Sequence, residues 1–302
     1  MGRLKHADHI TAALLQWGGS ELRDFPWRQT NDPWKVLVSE VMLQQTSVQR
    51  VVDKYNLFID IFPTPRALAN ASLGEALTLW QGLGYPRRCR NLREAATVVV
   101  VEHDGVVPGD LETLLALPGI GPYTARAVLA FAYKKDVAVV DVNVARVLSR
   151  MCGEPLTARQ LQEVADELVP KDLAWEWNQL LMDLGARICT ARSPKCQLCP
   201  GLTWCAFVEG TNSEISTDDA AKTINDPARL SAGVSRPQPR FEGSDRQVRG
   251  RVLKLVLQGD QHVDYVVSQL GMETDRLRIE RIVDALVSEG LIARNGDLLC
   301  SP

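Results

Sequence analysis

Apolar residues recur along most of this chain at intervals of three and four. Ile10, Leu14 and Trp17 form one such set; Val36, Val41 and Leu43 form another, and Val128, Leu129 and Phe131 a third. This spacing lines one face of an α-helix, and strand-like alternation is scarce. Pro and Gly break the pattern at Pro26, Pro33, Pro63, Pro65, Gly82, Gly84, Pro108 and from Pro118 to Pro122. The breaks predict roughly ten short helices through residue 208. Residues 209–243 are polar, without a large apolar stripe, and predict a flexible linker. Periodicity returns at 244–302. Asp245–Leu257 suits one helix, His262–Leu270 a second, and Thr274–Gly290 a third that ends at Gly290. A hairpin then turns at Asn295-Gly296. Three helices and a hairpin make a winged-helix pattern, a module that binds either nucleic acid or protein.

The chain has 302 residues, 45% of them hydrophobic, enough for a substantial core. No apolar run approaches the roughly 20 residues needed to span a bilayer. The opening segment, MGRLKHADHITAALLQW, is broken by charge and lacks the core of a secretion signal. A cytoplasmic protein, a monomer without a membrane partner, is expected. A formal charge of −3 excludes a wholesale basic coat but leaves room for a local basic stripe. Arg87, Arg88, Arg90 and Arg93 form one, with no acid among them until Glu94. Such a stripe suits a phosphate backbone.

Seven cysteines are too few for a disulfide scaffold, and four of them crowd into Cys189-x6-Cys196-x2-Cys199-x5-Cys205. Four thiolates at this density hold zinc or an iron–sulfur cluster. Cys89, Cys152 and Cys300 stand apart and read as ordinary thiols. The loop also carries Arg192 and Lys195, two cations suited to a phosphate. Leu117-Pro118-Gly119-Ile120-Gly121-Pro122-Tyr123 joins two helical stretches. Its glycines permit a tight turn and close approach of a partner, and the free N–H groups of the following helix favour an anion. Asp141 stands between a valine run and a helix, a position for an N-cap. Glu40 sits among Val36, Leu37, Val38, Val41, Met42 and Leu43. A carboxyl there is either a buried structural partner or a proton donor with a raised pKa.

In order along the chain stand FPWR (25–28), SEVMLQQT (39–46), GLGYPRRCRNLRE (82–94), LPGIGPYTA (117–125), VDVNVARV (140–147), LLMDLGARICT (180–190) and the cysteine loop. Over about residues 8–208 this constellation resembles the MutY family of adenine DNA glycosylases, within the helix-hairpin-helix and endonuclease III superfamily. GSDRQVRGRVL resembles the tail of short actinobacterial members. The resemblance implies a [4Fe–4S] cluster on Cys189, Cys196, Cys199 and Cys205. It implies that Glu40 protonates adenine at N7, that Asp141 stabilises the sugar cation, and that Asn143 is its polar neighbour. Tyr123 stands where endonuclease III has a nucleophilic lysine, which implies a monofunctional enzyme without lyase chemistry. Gln45 and Tyr85 match residues that probe the base stack, since a base inside a duplex must be flipped out to be cut. Trp27, Arg28 and Leu43 match the pocket and lesion-facing side. Arg88, Leu117, Gly119 and Gly121 complete the implied DNA contacts.

The implied architecture is all-α and two-lobed, with a small C-terminal winged-helix-like module. Residues 1–21 and 139–208 form the cluster lobe, 22–138 a six-helix barrel with the hairpin, 209–243 the linker and 244–302 the module. The flipped base is expected in the cleft between lobes, and the implied partner is double-stranded DNA with an adenine mispair, at the nucleoid. The module has room for a protein partner. Two features depart from the family pattern: Pro86 replaces a second aromatic after Tyr85, and no Nudix-like C-terminal domain is evident. Two rival functions share the main features. One is a thymine or uracil mismatch glycosylase of the same fold, against which Gln44-Gln45 and Trp27 speak. The other is a non-catalytic iron–sulfur DNA-binding protein, against which the joint presence of Glu40 and Asp141 speaks.

Overall fold

The computed structural model describes residues 4–19, 21–209, 226–233 and 240–302. In chain order the helices are α1 (Ala7–Gly18), α2 (Pro33–Leu43), α3 (Val48–Ile61), α4 (Pro65–Asn70), α5 (Leu73–Trp80), α6 (Arg87–Glu102), α7 (Leu111–Ala116) and α8 (Pro122–Phe131). They continue with α9 (Val142–Cys152), α10 (Ala158–Leu168), α11 (Ala174–Arg187), α12 (Ala206–Glu209), α13 (Asp245–Leu257), α14 (Val263–Leu270) and α15 (Arg276–Ser288). The strands are β1 (Gln261–His262), β2 (Ala293–Asn295) and β3 (Leu298–Cys300). The chain is therefore overwhelmingly helical, as the periodicity predicts. Among the described residues no helix is long and apolar enough to cross a membrane.

Two compact units divide the chain: residues 1–33 with 122–236, and residues 34–121 with 237–302. The sequence expectation placed the divisions at 21/22 and 138/139. The hairpin's exit helix α8 falls in the first unit, where it contacts α11, and its apolar residues Val128, Leu129 and Phe131 are buried.

In the first unit α9 is central. Leu148 and Val144 on α9, Leu184 on α11, and Ile10 and Leu14 on α1 are buried in one cluster. Short polar caps punctuate the helices: Thr157 and Gln160 form a capping box at α10, and Gly153 in a left-handed conformation (φ 72°) closes α9. Residues 210–225 and 234–239 of the expected linker lie outside the described residues. Its middle is a packed strap. The 3-10 turn Pro227–Leu230 buries Pro227 and Ala228, and Asp226 pairs with Arg150 at 2.8 Å. The carboxylate and the arginine exclude water together, which a polar composition alone does not reveal.

The second unit is built around Trp80, Phe58 and Leu92, all buried. Phe58 meets Trp80 edge-on at 5.8 Å, and Trp34 Nε1 donates to Phe62 O at 3.0 Å. Ser72 and Glu75 form a capping box at α5. The C-terminal helices belong to this unit, together with an antiparallel sheet of order β1-β3-β2. Asn295 pairs with Leu298. The hairpin turn is therefore Gly296 (φ 59°) and Asp297, one residue beyond the expected Asn295-Gly296. β1 pairs Gln261 with Leu299; two residues are too short to show alternation in a sequence.

Candidate active site and cysteine pocket

Asp141 is the N-cap of α9. One carboxylate oxygen accepts from the backbone N–H groups of Asn143 and Val144, at 2.8 and 2.7 Å, and the other from Asn143 Nδ2 at 2.8 Å. Burial pushes this carboxyl above its ordinary range, against the pull of those bonds and of Arg146. The bonds fix the carboxylate's orientation, while desolvation strengthens its field on any nearby cation.

Arg146, one turn on, ties this cap to the cysteine loop. Its Nη2 donates to Asn143 Oδ1 at 2.9 Å and to Gly185 O at 2.6 Å, and its Nε donates to Cys189 O at 2.7 Å. Gly185 allows the close crossing: a Cβ there would lie 2.7 Å from Asn143 Cβ. Arg150, the next turn, donates through Nη1 to Cys189 Sγ at 3.3 Å and Thr190 O at 2.7 Å. A single helix therefore carries the acid-capped end and two arginines that hold the start of the loop. Neither arginine carries a sign of this role in the sequence, where both sit inside an ordinary helical pattern.

Cys189, Cys196, Cys199 and Cys205 border one small cavity. No three His, Cys, Asp or Glu side chains among the described residues gather closely enough for a single metal ion. Four sulfurs around a shared space suit a group that presents several sulfur-accepting corners, as an iron–sulfur cluster does. Burial pushes the Cys199 thiol up to about 11 and Cys205 up to about 12. Metal binding must therefore displace protons from them. Arg192 and Lys195 are exposed on this loop.

Glu40 lies on α2 in the second unit, 4% exposed, among the buried Val36, Leu37, Val38, Val41 and Met42. Leu43 is half-buried, and Gln45 is exposed just beyond the helix with a left-handed backbone (φ 54°). Tyr85 is exposed and also left-handed (φ 50°). Left-handed backbone is unfavourable for such residues and persists only where the surroundings enforce it. Arg88 does so here. It donates to Val41 O and Met42 O, at 2.6 and 2.9 Å, and to Leu83 O and Gly84 O, both at 3.2 Å. Its guanidinium lies 5.5 Å from the Tyr85 ring. Arg88 was expected at the DNA. It instead faces protein carbonyls, including the unsatisfied ones at the end of α2, and burial lowers its pKa to about 10. Arg93 likewise donates to Ala71 O at 2.7 Å.

Arg28, expected on the pocket side, has its guanidinium on Asp183. Nη1 and Nη2 donate to the two carboxylate oxygens at 2.9 and 2.8 Å. Asp183 is fully buried and also takes Arg23. Burial acts to raise this carboxyl, but the bonds from Arg28 and Arg23 outweigh it and hold the carboxyl below its ordinary range. Asp183 escaped the sequence reading because its helix pattern offers no reason for a buried charge. Trp27 is buried and stacked on Phe25 at 5.1 Å.

At the hairpin, Leu117 is buried and Gly119 is exposed with φ 74°, where a Cβ would lie 2.7 Å from Asn91 Cβ. Gly119 is thus required by both backbone conformation and close approach. Gly121 and Tyr123 are half-buried, with α8 starting between them at Pro122.

A profile of the HhH-GPD superfamily base excision DNA repair protein matches residues 38–171. An adenine DNA glycosylase of Mycobacterium tuberculosis is 40% identical over 291 residues, covering 94% of this chain and 90% of that protein. A thymine/uracil-DNA glycosylase of Pyrobaculum aerophilum is 40% identical over 187 residues, covering 59% of this chain and 81% of that protein. A solved thermostable thymine-DNA glycosylase superposes with a TM-score of 0.63 and 31% identity, covering 68% of this chain and 97% of that one.

Proposed function

The chain belongs to the HhH-GPD superfamily of base excision DNA repair proteins, and from that premise we propose that it excises adenine mispaired with 8-oxoguanine or guanine. One observation carries the choice of base. Identity to the adenine-specific relatives runs through the C-terminal module, whereas identity to the thymine/uracil relative covers a smaller part of the chain.

In this reading Glu40, as the acid, gives its proton to N7 of a flipped adenine. The C1′–N9 bond breaks, and its electron pair leaves with the base. The Asp141 carboxylate, held by the α9 amides and Asn143, faces the positive charge that develops on the sugar. Water then adds to C1′ and returns a proton to Glu40, leaving adenine and an abasic site. Gln45 and Tyr85, exposed on strained turns, are suited to enter the base stack. Trp27, Arg28 and Leu43 are assigned to the pocket and lesion-facing side, as the family resemblance implies. The hairpin around Leu117, Gly119 and Gly121 presents backbone to a phosphate, and Arg192 and Lys195 present charge.

Cys189, Cys196, Cys199 and Cys205 would hold a [4Fe–4S] cluster, whose chemistry here is to fix the loop that Arg146 and Arg150 grip. Tyr123 has no amine to form a Schiff base. After base release, strand breakage is therefore expected only on alkaline treatment, and borohydride should trap no enzyme–DNA adduct. A trapped adduct without alkali would contradict the monofunctional assignment.

A further inference from the structure

Helix α6 starts directly after Tyr85 and Pro86. Arg87 meets a carboxylate of the C-terminal module, and Arg90 meets the main-chain carbonyl of the same residue. Arg87 Nε lies 2.8 Å from Glu289 Oε2, and Arg90 Nη1 donates to the Glu289 carbonyl. From within the module, Arg249 on α13 donates to both carboxylate oxygens, one of them at 2.8 Å. Burial acts to raise the Glu289 carboxyl, but Arg249 and Arg87 outweigh it and hold it ionised. The contact extends to α5, where Ser301 seats on Gly74: a Cβ at Gly74 would lie 2.1 Å from Ser301 Oγ.

The module itself is a poor nucleic-acid reader. Residues 244–302 carry nine acidic and eight basic side chains. Three of the four arginines of its third helix and hairpin are paired with acids: Arg276 with Asp264, Arg278 with Asp245, and Arg294 with Glu280. Its strongest electrostatic feature points inward, to the start of α6. A cation two residues beyond Tyr85 would otherwise be drawn to phosphate. Glu289 draws Arg87 to protein instead, and the left-handed backbone of Tyr85, next to the Arg88 bond to Gly84 O, depends on support from its surroundings.

We propose that the C-terminal module braces the start of α6 through Glu289, which makes Glu289 a positioning residue for Tyr85 and a counter-charge that holds Arg87 to protein. The inference rests on the reading of Tyr85 given above. Its test compares full-length protein with Glu289→Gln and Glu289→Asp. In Glu289→Gln, amides of residues 82–90 should exchange hydrogen faster, while those of α11 are unchanged. Single-turnover adenine release should fall about tenfold, a loss of about 1.4 kcal/mol in transition-state stabilisation. Affinity for undamaged duplex should hold or rise, with a steeper salt dependence by up to about one phosphate contact. Glu289→Asp keeps the charge and should show the same changes in smaller measure, which also serves should Glu289→Gln fail to fold.

Unchanged exchange at 82–90 with an unchanged rate would overturn the brace. So would parallel losses of melting temperature, affinity and rate, which would mark a structural role only. If wild-type protein releases no adenine, the functional reading fails, and exchange with the salt slope still decides whether Glu289 braces α6.

Discussion

At the residue scale, the account depends on two carboxyl groups in different local settings. Glu40 is buried on α2, and Glu40→Gln should lower single-turnover adenine release by about a hundredfold or more while duplex binding survives. Asp141 serves as both cap and charge. Asn is also a good N-cap, so Asp141→Asn should melt near the wild type yet release adenine about a hundredfold more slowly. A large loss of stability instead would assign Asp141 to the fold alone. Burial raises the Asp141 carboxyl, so its charge is lost on acidification earlier than for an ordinary aspartate of 3.8. The rate should fall on the acid side at a pH above that value, and Asp141→Asn should lack this limb. The sign is opposite for Asp183, whose carboxyl is lowered by its arginines. Its stabilisation is present above the unfolded value and is lost as the pH falls through the lower folded one. Asp183→Asn would leave Arg28 and Arg23 facing a neutral group. It should destabilise by about 3 kcal/mol or more in thermal or urea unfolding.

At the element scale, close crossings and tight turns carry the geometry. Gly185→Ala would thrust a methyl group onto Asn143, displacing α9 from α11. It should cost about 1–3 kcal/mol in unfolding and slow base release through the Asp141 cap. The helices themselves were legible in the sequence because their apolar spacing and caps agree: Asp141 reads as a cap and is one. The third C-terminal helix and its Gly290 stop were legible for the same reason. The destinations of the arginines were not. Arg88 and Arg93 look like a phosphate stripe in one dimension, and only the fold reveals which carbonyls they reach. Arg146, Arg150 and Asp183 were missed because a charged residue inside an amphipathic pattern carries no local sign that it is buried. The strap around Asp226 was missed because one ion pair and a proline turn, not an apolar stripe, hold it.

At the scale of the whole molecule, the order of motifs made the superfamily legible, and the match over most of the chain establishes it. Placement of the C-terminal module was not legible, since it depends on Glu289 meeting arginines some two hundred residues earlier in the chain. The cysteine pocket predicts a yellow-brown protein with broad absorbance at about 400 nm, lost in Cys199→Ser. A colourless protein that binds zinc would contradict the cluster assignment. The most direct test of the central claim is single-turnover base release from a duplex with adenine opposite 8-oxoguanine, beside one with thymine opposite guanine. The account predicts free adenine from the first duplex and no thymine from the second. Thymine release without adenine release, from protein carrying its cluster, would contradict it.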